Sequence, residues 1–315
     1  MGDGPRSGCL RLAMLEAHEA LGKFMKDINP MNAVALFLVV GKLRPNSTTV
    51  LVGWTFVWFF LVSLLQLTLQ PVPPAPGAEV GPAMASYFAS LAVVLPIGLI
   101  SWALPFAAWM RLLTTGEGNG LIPFRFGAEE FWALAVLLAL FATYLVAMVV
   151  VTVIAMVLVS LVPLLAFLGI FVVPAVTVAV VYIGLRLTPA AALSAMTHRF
   201  AITATWQAMK GRIGSVLMAW LVVVAAMIAA SIVMMALGLV IPSFNLQQEM
   251  MQMLTGGPRP GLAQLLPFAF VNMVLSLPVT LMGYSVTAYY AMAISGRDDD
   301  WMRAIAQAEA EAAAE

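Results

Sequence analysis

The chain has 315 residues, of which 63% are hydrophobic and 10% charged, and its Lys and Arg residues equal its Asp and Glu residues in number. Soluble proteins are about 45–50% apolar and about 25% charged. This chain has too few polar residues to cover the surface of a soluble protein, so its composition predicts an integral membrane protein. The one cysteine, Cys9, excludes an intramolecular disulfide and a cysteine zinc cluster.

Residues 1–49 are predicted to be cytoplasmic amphipathic and interfacial helices. They lack the uninterrupted apolar core of a signal peptide. Apolar residues recur at helical spacing while the acidic and basic residues between them balance, which favours packing on a partner protein over binding to anionic lipid. The predicted partner-contact residues are Leu10, Met14, Leu21, Phe24 and Ile28.

A second short helix is predicted before the first membrane span. The pair Asn29-Pro30 ends the amphipathic helix, because a residue before proline disfavours the helical conformation. About ten apolar residues then precede Lys42 and Arg44, which is too few to cross a bilayer and typical of an interfacial or shallow re-entrant helix. The polar residues 46–49 are expected to cap the first span.

Six apolar runs are long enough to cross a hydrocarbon core of ~30 Å, which takes about 20 helical residues. The third and fourth form one stretch too long for a single crossing, and Ser160 to Pro163 is its expected turn. The predicted fold class is all-α, with six transmembrane helices as three hairpins over residues 50–295 and a tail at 296–315. The spans are Val50–Leu69, Tyr87–Met110, Phe131–Val159, Val162–Leu185, Gly214–Ile241 and Leu265–Ile294.

The basic residues predict the orientation of these spans. Fourteen Lys and Arg residues fall on the side of both termini, and Arg259 alone falls on the other side. Because loops rich in Lys and Arg stay in the cytoplasm, both termini and the basic loops are expected to be cytoplasmic.

Residues 186–212 contain four basic residues and no acidic residue. Thr188 can cap a helix that begins with Pro189, and Thr203 can cap another, so two short helices are expected along the cytoplasmic interface. Each basic residue near an anionic leaflet contributes about 1 kcal/mol, although topology alone requires the same charges. The candidate lipid-headgroup or interface residues are Arg186, Arg199, Trp206, Lys210, Arg212, Lys42, Arg44 and Arg125.

The stretches RLTPAAAL at 186–193 and TATWQAMKGR at 203–212 resemble a loop of the YciC-like proteins and of the membrane domain attached to some bacterial glycerophosphoryl diester phosphodiesterases. The resemblance implies a polytopic bacterial inner-membrane protein with cytoplasmic interfacial helices, and it implies no catalytic residue. No segment is left for a catalytic barrel of about 250 residues, so esterase activity is not carried over. The matching residues are Arg186, Pro189, Thr205, Trp206, Lys210 and Gly211.

Other chemistry finds little support in the sequence. No Asp, Glu, Lys, Arg or His lies well inside a predicted span, which argues against an ion-coupled pump. His18 and His198 are too few and too scattered for a metal site, and neither a phosphate-binding glycine loop nor a nucleic-acid platform is found. No cofactor is predicted.

Three functions remain. The favoured one is a non-enzymatic membrane protein that binds or organises anionic lipids, a partner membrane protein or a second copy of itself through its basic cytoplasmic helices. The alternative is a transporter or transport-complex subunit for an apolar or lipidic substrate, which the prolines in the second, fourth and sixth spans favour. A lipid-modifying enzyme is favoured only by the family's occasional fusion to a phosphodiesterase.

Overall fold

The computed structural model describes residues 29–69, 80–116, 123–124, 127–161, 166–240 and 262–296. The regular structure in these ranges is helical, and six helices are long and apolar enough to cross a membrane, which confirms the all-α, six-span architecture. The long helices are α2 (Pro45–Leu69), α3 (Val80–Thr115), α4 (Ala128–Leu161), α5 (Ala166–Leu187), α8 (Ile213–Val240) and α9 (Leu262–Ser295). The short helices are α1 (Pro30–Leu43), α6 (Ala190–Thr197) and α7 (Ile202–Ala208).

Each predicted span corresponds to one long helix, with shifts at the ends. α2 begins at Pro45, a residue suited to the first helical position, so residues 46–49 form its first turn and do not cap it. α3 continues to Thr115 and includes Arg111, which the predicted span excluded. A helix can therefore continue past its apolar run when the charged residue finds a partner in the protein.

Several predicted features lie outside the described residues. They are Val162 and Pro163 of the expected turn, Arg125, the tail after residue 296, and the amphipathic helix with its partner-contact residues Leu10, Met14, Leu21, Phe24 and Ile28.

Hydrogen bonds between neighbouring long helices fix their directions. Trp109 of α3 donates to Thr55 of α2 at 2.9 Å, and the hydroxyls of Ser215 in α8 and Tyr290 in α9 are 2.6 Å apart. These pairs bring the start of one helix beside the end of the next. Every Lys, Arg, Asp and Glu that the structure describes falls at these joined ends, which we call the basic end of the bundle.

The described core is concentrated at the basic end. The buried residues of α8 all lie between Val216 and Val223 in its first half, and residues 284–292 of α9 are buried as well. The short helices α1 and α6 fill the space between the long ones: α1 packs on α9 and α8, and α6 on α4, α9 and α3. The short helices thus add to the described core at this end.

α1 reaches into the bundle. Asn29 begins it, since its side-chain Oδ1 accepts the N–H of Met31 at 2.9 Å and Pro30 takes the first position. The pair Asn29-Pro30, which was expected to end one helix, begins α1. Ser285 of α9 accepts the N–H of Phe37 at 3.1 Å, which ties the middle of α1 to the core. Whether α1 is interfacial or re-entrant stays a prediction.

α6 is enclosed by protein, although the sequence placed it along the interface. Residues 190–195 are all buried, because their small side chains let α6 pass between the long helices. Pro189 is the residue before the helix, and neither Thr188 nor Thr203 caps a helix as expected. Ser194 of α6 instead accepts the N–H of Ala201 at 3.0 Å and so holds the start of α7.

A proline in α3 creates a polar link to α2. Pro105 has no N–H, so the carbonyl of Ser101, four residues earlier, lacks its helical partner. The indole Nε1 of Trp58 in α2 donates to that carbonyl at 2.9 Å. The free backbone group that the proline leaves behind is therefore satisfied by the neighbouring helix.

Candidate functional site

A large cleft lies between α4, α5, α8 and α9, and we call it the cleft. Its volume is about 1310 Å³. α6 and α7 contribute Ala191 and Ile202 to its wall at the basic end, and Trp102 and Phe106 of α3 also line it. Binding pockets for small molecules are about 300–1,000 Å³, so this space exceeds what a compact polar metabolite needs.

The cleft is as long as the hydrocarbon core of a membrane. On α8 it extends from Trp220 to Leu239, and on α9 from Phe268 to Thr287. At 1.5 Å per helical residue each wall is about 28 Å long, against ~30 Å for the hydrocarbon core. An elongated apolar molecule that follows the membrane normal fits this shape.

On α8, the wall of the cleft is packed on its neighbours at the basic end and exposed farther along. Trp220 Nε1 donates to Thr188 Oγ1 at 3.2 Å, which joins α8 to the end of α5. Gly283 of α9 lies against the Trp220 ring, where an added Cβ would be 3.6 Å away. Farther along α8 the lining residues Met227, Met235 and Leu239 are exposed.

The cleft lining is apolar with scattered uncharged polar groups. None of the described residues that line it carries a charge. Bulky and flexible side chains such as Trp220, Phe268, Met227 and Met234 make up much of its wall, and methionine adapts readily to ligands of irregular shape. The polar lining residues are Thr143, Tyr144, Thr188, Ser231, Asn272, Ser276, Thr280, Tyr284 and Thr287.

Two of the predicted interface residues, Arg186 and Trp206, are brought together by the fold. The guanidinium carbon of Arg186 is 4.0 Å from the centre of the Trp206 ring, and its Nε donates to the Trp206 carbonyl at 2.9 Å. A further bond of 3.1 Å joins its Nη1 to the Tyr182 hydroxyl. Arg186 therefore clamps the end of α5 to α7, and much of its donor capacity is used within the protein.

The other predicted interface residues differ in exposure. Arg212 Nη1 donates to the carbonyl of Ala293 at 3.2 Å, near the end of α9, where a positive charge complements the helix dipole. Lys42, Arg199 and Lys210 are exposed, and Arg44 is half-buried. Arg125 lies outside the described residues. Among the described candidates, Lys42, Arg199 and Lys210 are therefore exposed, while Arg186 and Arg212 donate to carbonyls of the protein.

A charged cluster at the basic end was not identified from the sequence. Arg111 at the end of α3 is buried and pairs with Glu129 (2.9 Å) and Glu130 at the start of α4. It also donates to the carbonyl of Pro123 at 2.9 Å, and His198 Nε2 is 3.7 Å from Glu129. The signal was present as an arginine after one apolar run and two glutamates before the next. The retention of basic residues in the cytoplasm accounts for Arg111 equally well, so the sequence did not reveal its pairing with the two glutamates.

The described part of the chain contains no group of three His, Cys, Asp or Glu residues that could hold a metal ion. Comparison of the chain with protein-family models, curated proteins and solved structures finds no match. The geometry of the cleft and the basic end is therefore the basis for inferring a function.

Proposed function

We propose that this integral membrane protein binds a lipidic molecule in the cleft and acts as a carrier or as a subunit of a lipid transport complex. The observation that carries the proposal is an apolar cleft as long as the hydrocarbon core, whose described lining bears no charge. A water-soluble or ionic substrate would lose its hydration there without gaining a charged partner. The proposal assigns no catalytic step to the protein.

The orientation and the membrane belong to the same proposal. All described Lys and Arg residues lie at one end of the bundle, which supports placing that end in the cytoplasm together with both termini. A bacterial inner membrane and membership of the YciC-like group are supported by the sequence resemblance at residues 186–212 alone.

A second candidate function is headgroup binding at the basic end. It is favoured by Lys42, Arg199 and Lys210, whose exposed side chains can reach anionic lipid phosphates. Since Arg186 and Arg212 already donate to protein carbonyls, fewer donors remain for headgroups than the sequence predicted. A partner membrane protein or a second copy of the chain at this end stays a prediction.

A substitution that fills the cleft tests whether the cleft binds lipid. Gly184 of α5 lines the cleft, and a Cβ built on it meets no atom within 4 Å, so Gly184→Trp places a bulky ring in open space. Gly53 of α2 is exposed, does not line the cleft and has equally free space, so Gly53→Trp is the matched control. The measurement is the lipid retained per protein after purification in mild detergent, by mass spectrometry.

We expect Gly184→Trp to lose bound lipid while Gly53→Trp retains it, with both variants as thermally stable as the wild type. Equal lipid retention in the two variants would contradict binding in the cleft. If the double variant Arg199→Gln with Lys210→Gln loses bound lipid and Gly184→Trp retains it, headgroup binding at the basic end would be favoured instead.

A further inference from the structure

The middle of the cleft carries hydroxyl groups from two neighbouring helices. They are Ser231 of α8 and Ser276 and Thr280 of α9, and we call these three residues the polar band. The Ser215–Tyr290 bond sets the antiparallel register of α8 and α9. Counting from it, Ser231 lies level with Val274, close to Ser276. All three fall in the middle third of the lining stretches 220–239 and 268–287.

The polar band presents acceptors to the cleft. Ser231 donates to the carbonyl of Met227 at 2.9 Å, and Thr280 to that of Ser276 at 3.0 Å. Ser276 makes a longer contact of 3.5 Å with the carbonyl of Met273. A hydroxyl that gives its proton to its own helix keeps oxygen lone pairs free, so the band can accept a hydrogen bond from a ligand.

The charge distribution restricts what this ligand is. The described cleft lining has no charged side chain, whereas the described charges of the protein lie at the basic end. A phosphate or ammonium headgroup in the middle of the cleft would be desolvated without a counter-charge. An uncharged hydroxyl needs only an acceptor, and the polar band supplies acceptors.

We infer that the cleft binds an uncharged lipid alcohol, a molecule with long apolar chains and a free hydroxyl, such as a diacylglycerol. The chains lie along the apolar walls, and the hydroxyl donates to the polar band. This inference rests on the proposed function, since it names the class of molecule that the cleft holds. A transmembrane helix of a partner is a poorer occupant, because its backbone N–H groups are already bonded within the helix.

Photolabelling of the full-length protein in lipid vesicles tests the inference. Three probes carry the same photoreactive acyl chain: a diacylglycerol, its O-acetyl ester, which lacks the hydroxyl, and a phosphatidylglycerol. Labelled peptides are mapped by mass spectrometry. We expect the diacylglycerol to label peptides of α8 and α9 in the cleft about threefold more strongly than the ester, as the loss of one hydrogen bond in a membrane predicts.

Substitutions assign the effect to the polar band. In a variant with Ser231→Ala, Ser276→Ala and Thr280→Val, we expect the diacylglycerol to label the cleft no better than its ester. The control is Ser295→Ala in α9. The Ser295 hydroxyl donates to the carbonyl of Met292 at 3.0 Å, and Ser295 does not line the cleft. Thermal unfolding of each variant reports whether it is folded.

The comparison of the three probes on the wild-type protein does not depend on any variant. Equal cleft labelling by the diacylglycerol and its ester, or stronger labelling by the phosphatidylglycerol, would overturn the lipid alcohol and leave the proposed function standing. A lack of cleft labelling by all three probes would overturn both. A polypeptide that copurifies and crosslinks to the cleft would also overturn the inference.

Discussion

At the scale of single residues, many of the polar groups that the structure describes bond to a neighbouring helix. Arg186 rests on Trp206, Trp58 donates to the carbonyl that Pro105 leaves free, and the Tyr290 hydroxyl pairs with Ser215. Such bonds matter in a bilayer because the hydrocarbon offers no alternative partner. Tyr284 differs from these residues: it is almost fully buried, and its hydroxyl has no partner among the described residues.

The two tyrosines of α9 provide a matched pair of substitutions. Tyr290→Phe removes a 2.6 Å bond to Ser215 and leaves that hydroxyl without its partner, so we expect the free energy of unfolding to fall by about 1 kcal/mol. Tyr284→Phe removes an unpaired buried hydroxyl and is expected to be neutral or slightly stabilising. Reversible unfolding in mixed micelles measures both. A Tyr284→Phe variant less stable than Tyr290→Phe would contradict this account.

At the scale of helices, small residues and proline decide how the elements meet. The alanines of α6 let it pass between α3, α4 and α9. Pro105 leaves α3 with a free carbonyl that α2 satisfies through Trp58. Arg111 extends α3 beyond its apolar run because Glu129 and Glu130 of α4 neutralise it. The position at which α3 ends therefore depends on a contact between helices.

The link between α2 and α3 gives a prediction at this scale. Trp58→Phe leaves the Ser101 carbonyl without a donor, and we expect a cost of about 1–3 kcal/mol. Pro105→Ala supplies a backbone N–H four residues after Ser101, so the cost of Trp58→Phe should be smaller in that background. A double-mutant cycle on the free energy of unfolding measures the coupling. Strictly additive effects of the two substitutions would show that the unpaired Ser101 carbonyl does not cause the destabilisation by Trp58→Phe.

At the scale of the whole molecule, the bundle is asymmetric. The described charges, the short helices and most of the described core lie at the basic end, while the cleft extends away from it between α4, α5, α8 and α9. A bundle with most of its described core at one end and an apolar cleft between four of its helices can admit a lipid chain without losing that core. This division of roles is the global feature on which the proposed function depends.

The orientation of the bundle is a prediction at this scale. With Cys9→Ser as background, a cysteine introduced at the exposed Lys210 should react with a membrane-impermeant maleimide only in inverted vesicles. A cysteine at Arg259, which the sequence assigns to the opposite side, should react in intact spheroplasts. The physical reason is the retention of basic loops in the cytoplasm. The reverse pattern of reactivity would contradict the assigned orientation and the cytoplasmic location of the basic end.

The sequence by itself determined the six spans, because the length of an apolar run can be compared directly with the thickness of a bilayer. It also determined the separation of charge along the chain. The tertiary structure alone decided that α6 is enclosed, that Arg186 meets Trp206, that Arg111 meets two glutamates, and that a cleft separates α5 from much of α8 and α9. The reason is that lipid is as apolar as a protein core, so the spans carry no pattern that distinguishes a face packed on protein from a face packed on lipid.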